Sequence, residues 1–174
     1  MIVWLNGTFG AGKTTTSTKL IERLPESRIF DTEDVMFMLK PILDSVKVSD
    51  YQEWTPWRGL VVDTAVRVLD YVGGTLVVPQ SVYVESFWLE IRSGLEKAGI
   101  PLRHFVLHAD HDALVDRIEN DTLPPGVRQW RLDHLAAYQE ALPWLEREAE
   151  VIDTSRLTPD QVTELIHASV TKAA

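Results

Sequence analysis

An eight-residue segment near the start of the chain has the residue types and spacing of a phosphate-binding loop. It reads Gly-Thr-Phe-Gly-Ala-Gly-Lys-Thr from Gly7 to Thr14 and matches the pattern G-x-x-x-x-G-K-[ST] in full. Glycines let backbone N–H groups wrap around a phosphate, and the N-terminus of a following helix adds partial positive charge. Lys13 can reach the outer phosphates and the Thr14 hydroxyl can ligate Mg²⁺. We therefore predict a nucleoside triphosphate with Mg²⁺ as ligand. The predicted nucleotide-binding residues are Gly7, Thr8, Phe9, Gly10, Ala11, Gly12, Lys13, Thr14 and Thr15.

The elements around this loop are those that it requires. The apolar run Ile2-Val3-Trp4-Leu5 precedes it as a buried strand, and a helix that ends near Leu24-Pro25 follows. The alternative is a glycine-rich turn between a strand and a helix, with a lysine that faces solvent.

An acid stands at the end of the second predicted strand. Asp31 closes Arg28-Ile29-Phe30-Asp31, and Glu33 and Asp34 follow closely. Strand C-termini line the ligand crevice of a doubly wound sheet, so Asp31 is our candidate for a general base or for an acid that positions Mg²⁺. Asp31 also precedes a helix, and capping that helix is the alternative role, which is compatible with the first.

Three arginines form a second basic region in an otherwise acidic chain. Arg117, Arg128 and Arg131 fall within 15 residues, and we predict that their guanidinium groups neutralise charge on a transferring phosphoryl group. The alternative is that these arginines are solvated helix residues paired with acids.

Candidate substrate-binding residues follow the second strand and precede or follow the third. They are Asp34, Trp57, Arg58 and Gln80. A flat aromatic ring and a fork-shaped cation would suit a nucleoside-like or uracil-bearing acceptor with a sugar phosphate. For Trp57, packing in the core is the alternative to ligand binding.

Strands and helices alternate along the chain. Helices are predicted over 32–40, where Pro41 would end the helix, and over 56–72, 84–98, 112–120 and 129–148, with a last helix from Thr158-Pro159. Strands are predicted at 75–79, 102–107 and 149–152, in addition to the two above. The alternation predicts a single α/β domain over 1–174, with a doubly wound five-stranded parallel sheet and helices on both faces.

Composition narrows the function classes. The 174 residues carry a net charge of −9, which disfavours binding to nucleic acid or to anionic membranes, and there is no cysteine for disulfide or thiolate chemistry. No segment reaches the ~18 apolar residues of a membrane span, and the first strand starts at once, so we predict no signal peptide and a cytoplasmic protein.

The chain lacks the N-K-x-D motif of Ras-type GTPases, and the strand Leu76-Val77-Val78-Pro79-Gln80 lacks the terminal Asp of Walker B.

Several segments together resemble the tunicamycin-resistance ATP-binding protein family. They are Met1 to Leu20, Phe30-Asp31, Trp57-Arg58, the Leu76-Val77-Val78-Pro79 strand and the His104-Phe105 region. More broadly, the chain is similar to small P-loop kinases such as chloramphenicol phosphotransferase, shikimate kinase and gluconate kinase. The resemblance implies a mobile lid at about 120–131, a substrate pocket between the second and third strands, and a role for Asp31 in receiving the proton of a substrate hydroxyl. It also implies that the three arginines belong to the lid and that Trp57 and Arg58 lie where such kinases place an acceptor-binding helix. Related kinases often place two lid arginines four residues apart, whereas Asp121 stands at that spacing from Arg117.

These observations leave two main function classes. The first is an ATP-dependent small-molecule kinase that transfers the γ-phosphoryl group to a hydroxyl and confers resistance to a nucleoside antibiotic such as tunicamycin. The second is an ATP-binding protein that sequesters the antibiotic without phosphorylating it. A regulatory nucleotide switch is a third class.

Overall fold

Five parallel strands form one sheet at the centre of the protein. The computed structural model describes residues 1–122 and 124–172. The strands are β1 (Ile2–Asn6), β2 (Ser27–Ile29), β3 (Thr75–Pro79), β4 (Leu102–His108) and β5 (Glu150–Asp153). Their order in the sheet is β2-β3-β1-β4-β5. The central strand is therefore β1, with β3 and β2 on one side and β4 and β5 on the other. This arrangement confirms the predicted α/β fold with a doubly wound parallel sheet.

Seven helices surround the sheet in the described part of the chain. They are α1 (Lys13–Ile21), α2 (Glu33–Leu43), α3 (Thr55–Val72), α4 (Glu85–Lys97), α5 (His111–Glu119), α6 (Pro125–Glu148) and α7 (Pro159–Lys172). A short 3₁₀ helix, Tyr51–Glu53, lies between α2 and α3. α1 packs against α7, while α3 packs against α4 and α4 against α6.

The central strand shows why helices must cover both faces. Ile2, Val3, Trp4 and Leu5 point alternately to the two faces of the sheet, yet all four are buried. A continuous apolar strand of this kind is typical of a parallel sheet covered on both sides, since either face would otherwise expose apolar side chains to water. The hydrophobic core therefore lies in two layers, one on each face of β1.

Prolines mark two differences from the predicted helix bounds. α2 continues through Pro41 to Leu43 instead of ending at Lys40. Pro41 lies in the last turn, where the loss of one backbone hydrogen bond costs less than it would in the helix interior. α6 begins at Pro125 instead of Gln129, because a proline in the first turn has no N–H to satisfy and already has a helical φ.

The start of α7 agrees with the predicted start of the last helix and is held by a capping box. The Gln161 N–H donates to Thr158 Oγ1 (3.3 Å), and the Thr158 N–H donates to Gln161 Oε1 (2.9 Å). None of the helices in the described ranges is both long and apolar enough to cross a membrane.

Candidate functional site

A cleft of about 1000 Å³ opens at the carboxyl ends of the strands. The whole stretch from Thr8 to Ser17 lines it, together with residues that follow β2, β3 and β5 and residues of α5 and α6. Ligands of open α/β sheets bind in this position, where the crossovers run in opposite directions from neighbouring strands. The phosphate-binding loop follows the central strand, so it lies in the middle of the cleft.

Two glycines of the loop are required by its backbone. A Cβ atom on Gly7 would lie 2.5 Å from the Leu107 carbonyl oxygen, which is too close for any larger residue. Gly12 has φ 97° and is the residue before α1, a left-handed conformation that favours glycine. The loop thus passes against β4 and then turns so that the first N–H groups of α1 face the cleft.

Polar side chains from neighbouring strands hold the loop in place. Asn6, the last residue of β1, accepts a hydrogen bond from the Gly7 N–H (2.8 Å) and another from the Val82 N–H (3.1 Å). Ser81 Oγ donates to the Gly7 carbonyl oxygen at 2.6 Å. The start of the phosphate-binding loop and the segment after β3 are therefore joined, which fixes the distance between nucleotide and substrate regions.

Lys13 lies inside the loop, as the motif predicts. Its Nζ donates to the carbonyl oxygens of Gly7 (2.8 Å) and Thr8 (2.9 Å) and lies 5.6 Å from the centre of the Phe9 ring. Burial, and secondarily the charge of Arg131, lowers the pKa of Lys13 to about 7. A phosphate in the cleft would favour the charged form and reverse this effect.

Two carboxylates that follow β2 face the cleft. Asp31 and Glu33 line it, whereas Asp34 is exposed and is not among the described residues that do so. Asp31 Oδ1 accepts a hydrogen bond from the Glu33 N–H (3.0 Å), so Asp31 also satisfies a donor at the start of α2. Burial, followed by the nearby charge of Asp31, raises the pKa of Glu33. The sequence singled out Asp31 and Asp34, and the structure places Glu33 where Asp34 was expected.

The three arginines do not form one group. Arg117 donates to the carbonyl oxygens of Gly10 (3.2 Å) and Thr154 (2.6 Å), so it joins the phosphate-binding loop to the segment after β5. Arg131 lines the cleft and pairs with Asp121 at 2.9 Å. Arg128 contacts the Asp121 carbonyl oxygen (3.4 Å) and is not among the described residues that line the cleft. Of these side chains, Arg131 is the one best placed to reach a phosphoryl group.

The first turns of α6 rest on the phosphate-binding loop through aromatic rings. Phe9 lies 4.9 Å from Trp130 and 5.9 Å from His134, measured between ring centres, and the Arg131 guanidinium lies 5.3 Å from the Phe9 ring. Trp130 remains 50% exposed although it lines the cleft. Trp130 and Arg131, which make these contacts, belong to the predicted lid segment at about 120–131. Leu123 of that segment lies outside the described residues.

Trp57 and Arg58 need a correction, because both are buried and neither is among the described residues that line the cleft. Trp57 is 0% exposed and its indole N–H donates to the Thr32 carbonyl oxygen (3.0 Å), so it is a core residue. Arg58 is 5% exposed and pairs with Glu90 at 2.6 Å. Arg58 also donates to the Gln52 carbonyl oxygen, which holds the segment that does line the cleft.

Gln80 lies where the sequence predicts it, at the cleft. Its Oε1 accepts from Thr32 Oγ1 (2.8 Å) and its Nε2 donates to the Tyr51 hydroxyl (3.1 Å). Gln80 therefore connects the starts of α2 and of the 3₁₀ helix below the substrate region, and orients Tyr51.

Comparison with known proteins identifies the family. No protein-family model and no curated protein matches the chain. Among solved structures, the tunicamycin resistance protein of Deinococcus radiodurans is 30% identical, with a TM-score of 0.72, and the match covers 98% of this chain and 95% of that chain. The chain belongs to the tunicamycin resistance protein family. This finding confirms the resemblance seen in the sequence.

More distant solved structures with the same fold include two kinases. A gluconokinase from Sinorhizobium meliloti 1021 is 16% identical with a TM-score of 0.66, over 99% of this chain and 92% of that chain. A thymidylate kinase from Candida albicans is 12% identical with a TM-score of 0.67, over 99% and 91% of the two chains. At these identities the likeness shows the fold alone, and it confirms a P-loop kinase architecture.

Several residues of this tunicamycin resistance family member were not predicted from the sequence as parts of the site. Asn6, Glu33, Tyr51, Gln52 and Trp130 line the cleft or hold its loops. A signal existed for Glu33, which is the first residue of α2 in a position where acids are favoured. Tyr51 and Gln52 lie in a segment without periodicity, and their approach to the cleft depends on a fold of the chain that no local pattern indicates.

The lowered pKa of Lys13 predicts a pH-dependent affinity for ATP. Because phosphate raises the pKa of Lys13 above about 7, binding takes up a proton and the affinity falls as the pH rises above that value. Between pH 7.5 and 9 we expect the Kd to rise by roughly tenfold per pH unit, as uptake of one proton requires. Calorimetric titrations with ATP in EDTA would measure this slope without a metal. Lys13→Met should lack it, and an equal slope in that variant would contradict the assignment.

The ring contacts of Phe9 predict how the lid segment responds to nucleotide. We expect backbone hydrogen exchange at 126–131 to slow when a nonhydrolysable ATP analogue binds, because phosphate orders both the loop and the helix that rests on it. Phe9→Ala should weaken this protection while leaving exchange in α7 unchanged. If analogue binding gives 126–131 the same protection in both proteins, Phe9 does not connect the two segments.

Proposed function

We propose that the protein is an ATP-dependent small-molecule phosphotransferase that confers resistance to a nucleoside antibiotic such as tunicamycin. The observation that carries the proposal is one cleft that combines Lys13 of a complete phosphate-binding loop with the Asp31 carboxylate after β2. A pure nucleotide-binding protein needs the first but not the second. The name of the Deinococcus radiodurans relative supports the antibiotic as the substrate.

In the proposed reaction, Asp31 accepts the proton of the substrate hydroxyl while that oxygen attacks the γ-phosphorus of ATP. The new oxygen–phosphorus bond forms as the bond to the β,γ-bridging oxygen breaks, and the electron pair leaves with ADP. Lys13 and the N–H groups at the start of α1 stabilise the charge on the phosphate oxygens. Arg131, over the Phe9 ring and beside Asp121, is positioned to do the same from the side of the lid.

The residues present fit a bound Mg²⁺. Thr14 is exposed at the first turn of α1 and lines the cleft with Asp31, so a hydroxyl and a carboxylate oxygen are available. Mg²⁺ prefers such oxygen ligands and keeps several waters and phosphate oxygens, which agrees with the absence of a cluster of three or more acids or histidines in the described ranges. Mg²⁺, when bound, would neutralise phosphate charge during transfer.

The deciding experiment is to incubate the purified protein with Mg²⁺-ATP and tunicamycin and to weigh the antibiotic by mass spectrometry. Transfer of one phosphoryl group adds the mass of HPO₃ and releases ADP in equal amount. The lid at about 120–131 and a cytoplasmic location form part of the same proposal, because an antibiotic that enters the cell would meet ATP there. If the antibiotic is bound tightly but keeps its mass, sequestration is the better account.

A further inference from the structure

The order of the strands divides the cleft into two ends. The phosphate-binding loop follows the central strand, with β4 and β5 to one side and β3 and β2 to the other. The nucleobase end, beside β5, is lined by Arg117, Thr154, Leu157, Pro159 and Val162. The acceptor end lies beside β2 and β3, and the residues that line it include Asp31, Glu33, Asp50, Tyr51, Gln52 and Ser81.

The charges at the acceptor end are all of one sign. Asp31, Glu33 and Asp50 line it, and none of the described residues that line this end is a lysine or arginine. Lys13 and Arg131 lie close enough to Glu33 to oppose the rise of its pKa. Lys13 is bonded inside the phosphate-binding loop and Arg131 is paired with Asp121, and in the proposed reaction both contact the phosphates of ATP. With ATP bound, a phosphate or carboxylate on the acceptor would therefore meet three like charges without a cation of its own.

Arg58, the basic side chain predicted for the substrate site, is paired with an acid. Arg58 pairs with Glu90 at 2.6 Å, lies 4.3 Å from the centre of the Phe87 ring and donates to the backbone of Gln52. It is therefore occupied in holding the loop and is not among the described residues that line the cleft. The structure thus removes the cation that would have suited a sugar phosphate in the sequence-based prediction.

Neutral hydrogen-bonding groups remain at the acceptor end. The Tyr51 hydroxyl accepts from Gln80 Nε2 (3.1 Å), so it keeps its own proton to donate. Ser81 Oγ donates to the Gly7 carbonyl oxygen (2.6 Å), so its lone pairs remain to accept. Burial raises the pKa of Tyr51, which keeps this hydroxyl protonated. Paired donors and acceptors of this kind suit sugar hydroxyls.

We propose that the acceptor end selects an uncharged, polyhydroxylated acceptor, such as a nonphosphorylated nucleoside or glycoside, and rejects its phosphorylated form. This inference rests on the proposed phosphotransferase function. It goes further in stating which chemical group must be absent from the substrate and which residues exclude it.

The test compares matched pairs of ligands that differ by one phosphate. Binding of uridine against uridine monophosphate, and of N-acetylglucosamine against its 1-phosphate, is measured by calorimetry on the full chain with Mg²⁺ and a nonhydrolysable ATP analogue, which keeps the nucleotide site filled. We expect the neutral member of at least one pair to bind at least about tenfold more tightly, because Asp31, Glu33 and Asp50 would repel the phosphate of the other member. Equal or tighter binding of the phosphorylated members, or binding of neither member of either pair, would overturn the proposal.

A charge variant makes the test specific. Gln52→Arg adds a guanidinium at the acceptor end, and we expect it to abolish or reverse the preference. Gln139→Arg adds the same charge on the exposed side of α6 and should leave the preference unchanged. The same preference in both variants would also count against the proposal. These readouts are binding constants, so they are independent of the transferase test. Tunicamycin that keeps its mass after incubation with Mg²⁺-ATP would refute the transferase function and leave the selectivity standing, whereas turnover of a phosphorylated acceptor would refute the selectivity and leave the transferase function standing.

Discussion

Lys13→Ala is expected to remove most of the protein's affinity for ATP and to lower phosphoryl transfer by a factor on the order of 10² to 10³, as for the loss of one preorganised donor to a transition-state oxygen. Lys13 lies within the phosphate-binding loop, bonded to the carbonyl oxygens of Gly7 and Thr8. A charged hydrogen bond to phosphate contributes about 1.5 to 3 kcal/mol, so the Kd should rise by roughly 10- to 150-fold.

Thermal unfolding provides the measurement for Lys13→Ala. ATP at 100 times its Kd should stabilise the unmodified protein by ~2.7 kcal/mol, or roughly 5 to 11 °C. With a Kd raised roughly 10- to 150-fold, the same ATP concentration should stabilise the variant by only about 0.3 to 1.4 kcal/mol, or roughly a tenth to a half of that shift. Lys19→Ala is the matched control, because Lys19 lies on the same helix and pairs with Asp160 at the surface. Equal shifts in both variants would contradict the role given to Lys13.

Asp31→Asn is expected to lower the rate of phosphoryl transfer by at least about 100-fold, the usual contribution of a general base. The amide cannot accept the proton of the substrate hydroxyl. It can still accept the Glu33 N–H, which Asp31 Oδ1 now does at 3.0 Å, so the free energy of unfolding should change little. Affinity for ATP in EDTA should survive, while the dependence on Mg²⁺ should weaken if the carboxylate holds the metal.

Two neighbouring acids serve as comparisons for Asp31. Asp34→Asn changes an exposed acid of the same turn that is not among the described residues lining the cleft, and it should leave the rate unchanged. Glu33→Gln changes the second carboxylate in the cleft, and the raised pKa of Glu33 makes it the natural competitor for the role of base. A large loss in Glu33→Gln together with normal transfer in Asp31→Asn would move the base to Glu33.

Short-range patterns in the sequence were sufficient for the fold class and for the phosphate-binding loop. The glycines at 7 and 12 are required by the local backbone, because both have a positive φ (134° and 97°), so their spacing is visible as a motif. The apolar run of β1 indicated a strand covered on both faces for the same reason. Such features depend on the residues of one segment and its immediate connections.

The substrate side of the cleft was decided by tertiary structure. Trp57 and Arg58 combine residue types that suit a ligand, yet the packing of α3 places one in the core and pairs the other with Glu90, 32 positions along the chain. Glu33 faces the cleft in place of Asp34, because the orientation of α2 determines which residues of its first turn face the cleft. Which polar side chains meet at the ends of β2 and β3 depends on helix orientation and long-range pairing. A local motif carries no information about either.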